Sequence, residues 1–458
     1  MPRRLRFQAL VFVASFLAFC LELASAKLLL PLFGGSAYVW TGAMMFFQCL
    51  LLIAYLYARR APAHPRVHAA VLLAPFFFLP LTAPAAWPAA GPYGGLFWSL
   101  LASVGAPFFA LSTTVLVAQS WLMRSSLPER RDGYFLFAAS NAGAACALAA
   151  YPFAIEPFLS PLAQGRLWRI LYAAYAVLCW SCAPRAAALA RAAGGGAPQP
   201  RERALWLLLG AAPSAALIAA TSFLSMDFAA VPLLWIAPLA TYLLTFVLAF
   251  KREPWYPRRP GAGAAVAAAI LAALPVATAF WFAGDSTAAQ TLSRLFDFGK
   301  FAYVLLALFA LSMIFHTSLA ERRPDSERAM TEYYNWIAAG GLVGSVAVGV
   351  VVPWLGRNVG ATALDWAAVG ALAAAAIAAR DWEQVSSHPR TAGAVGLLAL
   401  ALTAGVATAG SRAGTVYGLR NFYGVYSVQD RDGVRWLFDG NTEHGMQYLA
   451  PDRQTEPL

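Results

Sequence analysis

Charge is scarce in this chain. Of its 458 residues, 12% are Asp, Glu, Lys or Arg, whereas 60% are hydrophobic. A water-soluble chain of this length has no way to bury that much apolar surface, so a soluble globular protein is excluded. Acids are scarcer than bases, 22 against 33, for a net charge of +11. Five histidines and five cysteines are scattered without carboxylates at ligand spacing, which leaves no metal constellation and calls for no cofactor. No phosphate-binding loop, G-x-S-x-G elbow or dinucleotide fingerprint occurs, and no catalytic residue set is visible. Cys20, Cys49, Cys146, Cys179 and Cys182 all fall in apolar runs. "CWSC" at 179–182 has redox spacing, but at the end of a helix it reads as packing.

What is present is apolar sequence in lengths of about 20 residues, each enough to cross a hydrocarbon core of roughly 30 Å. The runs predict spans at 7–31, 38–58, 67–85, 96–123, 134–154, 167–184, 204–224, 229–250, 262–283, 300–319, 331–354, 360–379 and 392–410. The expected fold is an all-α polytopic membrane protein of about thirteen helices (twelve to fourteen), with lipid as its solvent. Placing the N-terminus inside puts 22 of the 33 basic residues in inner segments, six in outer connections and five in the tail. This is the positive-inside pattern of a bacterial-type cytoplasmic membrane protein, so the net charge is topological and no nucleic-acid partner is implied. The start imitates a secretory signal, "RRLR" followed by an apolar run and "ASA". Glu22 sits near that site and apolar sequence resumes after it, so an uncleaved first helix is expected.

The basic loop 186–203 divides a first half (1–185, about six spans) from a second (204–410, about seven). That layout suits a transporter built from two halves. Residues 411–458 form an extramembrane tail in which "YGVYSVQ" and "VRWLF" flank "DRDG", a β-hairpin signal, and "DGNTEHG" reads as a polar turn.

Ionisable groups inside a membrane are costly and point to function. Glu22 lies about 22 Å along the first helix, in its outer half. Lys27 is five residues on, a poor same-face spacing, and is placed to snorkel. Tyr38, Trp40, Glu156 and Asp227 fall at the same outer level. Together these six residues are candidates for a cation-binding chamber, carboxylates supplying charge and rings cation–π attraction; the plainer alternative for Tyr38 and Trp40 is an interfacial aromatic belt. At the inner side, His316, Glu332, Tyr333 and Tyr334 are candidate gate or proton-linked groups. Thr331 is the expected helix N-cap, with Glu332 in the first turn. His316 is either a buried proton-sensitive group or a surface histidine at headgroup level. Asn141 joins the gate set; its "SNAG" context equally supplies small residues for helix packing, with an amide as glue.

"ELASAKLLLPLFGGSAYVWTG", "ERRDGYFLFAASNAG…YPFAIEPFLSP", "MDFAAVPLLWIAPLATYLLTFVLAF" and "FHTSLAERRPDSERAMTEYYNWIAAGGLVGS" resemble, in order, the membrane region of the fused transporter/spermidine-synthase-like family. The likeness covers most of residues 15–355. It implies a bundle loosely related to the major facilitator superfamily, followed by a synthase-like domain. The tail "NFYGVYSVQDRDGVRWLFDGNTEHGMQYLAPDRQTEPL" resembles the segment that opens that domain, without the glycine-rich nucleotide-type fold that follows it in relatives. The outer acids point to a chain that binds or transports a small cationic metabolite, a polyamine being the suggested example; enzyme activity is left open but is not expected of this chain, since the catalytic domain of the family it resembles is absent from it. The alternative is an anchor for a separate synthase-like or methyltransferase-like subunit, with Phe422, Tyr423, Asp439 and His444 as docking candidates. Thirteen spans place the tail outside, whereas a synthase that uses cytosolic metabolites belongs inside.

Overall fold

The computed structural model describes residues 3–35, 37–61, 64–78, 91–125, 127–128, 134–183, 196–227, 236–251, 287–324, 326–356, 362–380, 415–421, 424–440 and 442–456. Eleven helical segments run through them. They are α1 (Arg3–Phe33), α2 (Ala37–Ala58), α3 (Pro65–Leu73, continued by a 3₁₀ turn to Phe78), α4 (Gly91–Met123) and α5 (Tyr134–Ala150, continued by a π turn to Ile155). Then follow α6 (Pro161–Cys182), α7 (Pro200–Asp227), α8 (Ile236–Ala249), α9 (Thr287–Glu321), α10 (Glu327–Val346, extended by a π turn to Leu355) and α11 (Thr362–Arg380). Seven stretches are both long and apolar enough to cross a bilayer.

Eleven of the thirteen expected spans thus fall on helices; those at 262–283 and 392–410 lie outside the described residues. The boundaries shift where local chemistry overrides hydropathy. The run expected at 67–85 is helical only over 65–78 among described residues, and that expected at 229–250 over 236–249. α10 starts before its expected cap, because the Ser326 hydroxyl accepts the Ala329 N–H at 3.3 Å. Thr331 is therefore not the cap, and Glu332 lies in the second turn, free for another role.

The helices pack as two sets that repeat one pattern. In the first, α1 contacts α4, α5 and α6, and α2 contacts α4. In the second, α7 contacts α9, α10 and α11, and α8 contacts α9. The sets meet through α2 on α10 and α5 on α8. Close approach in the two tightest pairs has the same cause. A Cβ at Gly143 of α5 would overlap the Phe12 carbonyl oxygen of α1, and one at Gly344 of α10 would overlap that of Ala211 on α7. Removing the side chain lets backbones touch where lipid gives no hydrophobic drive. Hydroxyl pairs add to both contacts: Ser15 with Ser140 at 2.7 Å, and Ser214 with Ser345 at 3.1 Å.

The tail is more than a hairpin. Four strands, β1 (Thr415–Arg420), β2 (Val425–Arg431), β3 (Val434–Asp439) and β4 (Thr442–Tyr448), form an antiparallel meander in sequence order. The β2–β3 turn stands on Asp432 (φ +50°) and Gly433 (φ +75°), the left-handed pair that a tight hairpin demands. "TEHG", expected as turn, extends instead as the edge strand β4, since Asp439–Gly440 already reverses the chain.

Candidate functional site

The end of the bundle at which α1, α5, α7 and α10 begin is called inner, because the basic loops gather there. At this end a chain of rings crosses repeatedly between the two helix sets. Phe250, just past α8, stacks on Phe137 of α5 at 6.1 Å; Phe137 stacks on Tyr334 of α10 at 5.0 Å; Tyr334 meets Tyr55 of α2 edge-on at 6.5 Å. The Arg323 guanidinium caps Phe137 at 5.1 Å. Beside the rings, Glu332 is 2.8 Å from Arg203 of α7 and 3.9 Å from Arg59, just past α2. Tyr333 is wholly buried, donating to the Leu319 carbonyl at 2.7 Å. The inner end is therefore closed by aromatic stacking that joins both sets, with Glu332–Arg59 as a longer ionic link between them and Glu332–Arg203 as a pair within the second.

His316 belongs to the wall behind this closure, not to a surface at headgroup level. It is fully buried, with Nδ1 2.8 Å from the Thr245 hydroxyl and its ring 3.6 Å from Phe246. Its Nε2 meets no hydrogen-bond partner among the described residues, and neither does either side-chain polar atom of Asn335. Midway along the bundle, Gln48 of α2 donates to Ser214 of α7 at 3.1 Å, a polar link between the sets.

Glu22 of α1 has no side-chain partner among the described residues. Like Tyr55 and Tyr242, it is surrounded by protein yet keeps accessible surface. All three are half-buried positions, on α1, α2 and α8.

The other outer candidates separate from it. Lys27 and Glu156 pair with each other. They sit at a cleft of about 160 Å³ among α1, the π turn after α5, and α6, whose lining includes Cys20, Tyr151 and Gln164 but not Glu22. Lys27 thus has a specific partner in place of simple snorkelling, and Glu156 is neutralised. Trp40 is buried against Cys20, Leu23 and Tyr151 instead of standing in an interfacial belt. The side chains of Tyr38 and Asp227 lie outside the described residues. Asn141 is half-buried on α5, the residue after the Ser140 that contacts Ser15. In the tail, Asp439 accepts the Val425 N–H at 3.2 Å and so serves the sheet itself; His444 is exposed on β4. Phe422 and Tyr423 lie outside the described residues.

Sequence reasoning missed Gln48, Tyr55, Arg59, Arg203 and the pair Asp365–Arg420. Asp365 lies within an expected span, so the rule that singled out Glu22 applied to it as well. The two oxygens of Asp365 are 3.0 and 3.1 Å from one guanidinium nitrogen of Arg420, and both side chains are shielded from solvent.

The two-set arrangement is similar to that of the nucleoside transporter NupG, with a TM-score of 0.54 at 14% identity, over 83% of this chain and 100% of that one. At that identity the likeness shows the fold alone, a polytopic helical bundle. The human organic anion transporter MFSD10 (TETRAN) matches at a TM-score of 0.47 and 16% identity, over 83% of this chain and 100% of that one. A bacterial homologue of the human lysosomal transporter Spinster, inward-facing and unoccupied, matches at 0.39 and 14%, over 88% and 97%. No protein-family profile and no curated protein matches the sequence.

Proposed function

We propose that this protein is a membrane transporter that moves a small cationic metabolite, with a polyamine as the suggested example, along the interface between its two helix sets. Glu22 carries the reading. A half-buried carboxylate on a membrane-length helix, with no side-chain partner among the described residues, is stabilised by an arriving cation, and it is the wrong charge to attract an anion. Tyr55 and Tyr242, also half-buried, supply further polar and aromatic surface in the bundle. With Glu156 neutralised by Lys27, attraction falls on Glu22, and Asp227 is its natural companion at that level. The N-terminus and basic loops are assigned to the cytoplasmic face of a bacterial-type inner membrane. The synthase-subunit alternative was motivated by an unsupported two-strand hairpin; a four-strand sheet anchored to the bundle weakens that motive.

Radiolabelled spermidine uptake into proteoliposomes tests the proposal. Glu22→Gln should reduce uptake about tenfold or more, the loss of one charge-assisted contact of roughly 1.5–3 kcal/mol. Unchanged uptake would reject Glu22 as the cation-attracting group.

A further inference from the structure

Among the described residues, the sheet touches the rest of the protein through a small footprint. Its strands pack mainly on one another and are largely half-buried or exposed. Arg420, Gly424 and Gln429 are the buried positions of β1, β2 and the turn between them, and Val425 packs against the helical core. Arg420 is the deepest. It reaches Asp365, at the start of α11, at the end of the bundle opposite the aromatic closure. It also lies close enough to Tyr93, at the start of α4, to act on it electrostatically. The Tyr93 hydroxyl in turn donates to the carbonyl of Gly349, in the π turn after α10, at 3.3 Å. The guanidinium thus ties the sheet to α11, and the nearby Tyr93 bonds α4 of the first set to the π turn of the second.

We propose that the C-terminal sheet is a latch on the outer end of the bundle, locked by Arg420 on Asp365, and that opening this end requires the latch to undock as a unit. The purpose rests on the transport reading; the geometry does not. A small footprint suits a removable element, since the sheet keeps its own ladder when it leaves. A buried ion pair suits a two-state lock, because separating it in place leaves both charges uncompensated, whereas full undocking returns both to water. The lock also explains why the outer and inner closures have different chemistry. The inner one is stacked rings and ion pairs among the helices themselves, and the outer one is a charge delivered by a segment beyond them.

Hydrogen–deuterium exchange on the full chain in nanodiscs, without added solute, tests the latch. In Asp365→Asn, amides over 91–100 and 347–355 should exchange about tenfold faster, while those over 425–439 keep their protection within about twofold. The double variant Asp365→Arg/Arg420→Asp should restore slow exchange. Unchanged exchange at the outer end in Asp365→Asn overturns the proposal, as does loss of protection throughout the sheet, which would make the pair merely structural. If Asp365→Asn does not yield monodisperse protein, Arg420→Lys takes its place. It keeps the charge but loses the fork, and about threefold acceleration at 91–100 is expected; no acceleration overturns the latch. Because no solute is present, an open latch alongside a negative Glu22 uptake test removes only the transport reading.

Discussion

The Glu332 carboxylate lies 2.8 Å from Arg203, with 8% of its side chain exposed, while Arg59 approaches the same carboxylate only to 3.9 Å and is 46% exposed. The Arg203 contact is short enough to be a charge-assisted hydrogen bond, and the Arg59 contact is a screened attraction. Glu332→Gln should therefore destabilise the protein by about 2 kcal/mol, seen as a thermal midpoint lower by several degrees. A double-mutant cycle separates the two arginines: coupling of Glu332 to Arg203 should exceed about 1 kcal/mol, and coupling to Arg59 should stay below about 0.5 kcal/mol. Equal couplings would show that Arg59, which joins the two helix sets, matters as much as the intraset pair.

Much of this architecture was legible because lipid imposes it. Apolar length and arginine placement locate helices such as α1, α7 and α10, since backbone groups in hydrocarbon must bond within the helix. What was not legible depends on three-dimensional proximity. Lys27 finds Glu156 from 129 positions away only once α1 and the turn after α5 converge. Local chemistry was misread at Ser326, where a serine two residues beyond a proline was passed over in favour of Thr331. The repeat between helix sets was present in sequence at few points. Gly143 precedes Pro152, and Gly344 precedes Pro353, at the same spacing, but the residues between them differ. Glycines that permit backbone contact constrain one position each, leaving little other similarity to detect.

In the sheet, Asp430 of β2 faces its cross-strand partner Arg435 of β3, with both carboxylate oxygens at 2.8 Å from the guanidinium. The hydrogen bond to Arg435 holds the Asp430 carboxyl below its ordinary value. A carboxyl depressed in this way favours the fold above the free value of about 3.9 and loses that contribution as pH falls through the folded value. The Asp430 carboxyl carbon, followed by NMR in the intact protein, should titrate below about 3.9, and Arg435→Gln should return it to about that value. The pair is exposed, so the same substitution should leave the thermal midpoint at pH 7 essentially unmoved. A marked drop there would mean that the pair does more than bridge two strands.

Gly143 and Gly344 make the sharpest claim about helix packing, because a single methyl decides the outcome. Alanine at either position would drive its Cβ into a carbonyl oxygen of the neighbouring helix, Phe12 or Ala211, and backbone does not yield as a side-chain tip does. Overpacking of this kind costs about 1–3 kcal/mol, and it works against the gain of up to about 1 kcal/mol that alanine brings to a helix interior. Gly370 of α11 provides the control, since nothing lies within 4 Å of a Cβ built there. Gly143→Ala and Gly344→Ala should each lower the thermal midpoint by several degrees, while Gly370→Ala should hold or raise it. If all three behaved alike, helix propensity would be governing the response. The close α1–α5 and α7–α10 contacts, and with them the repeated packing of the two helix sets, would then lose their physical basis.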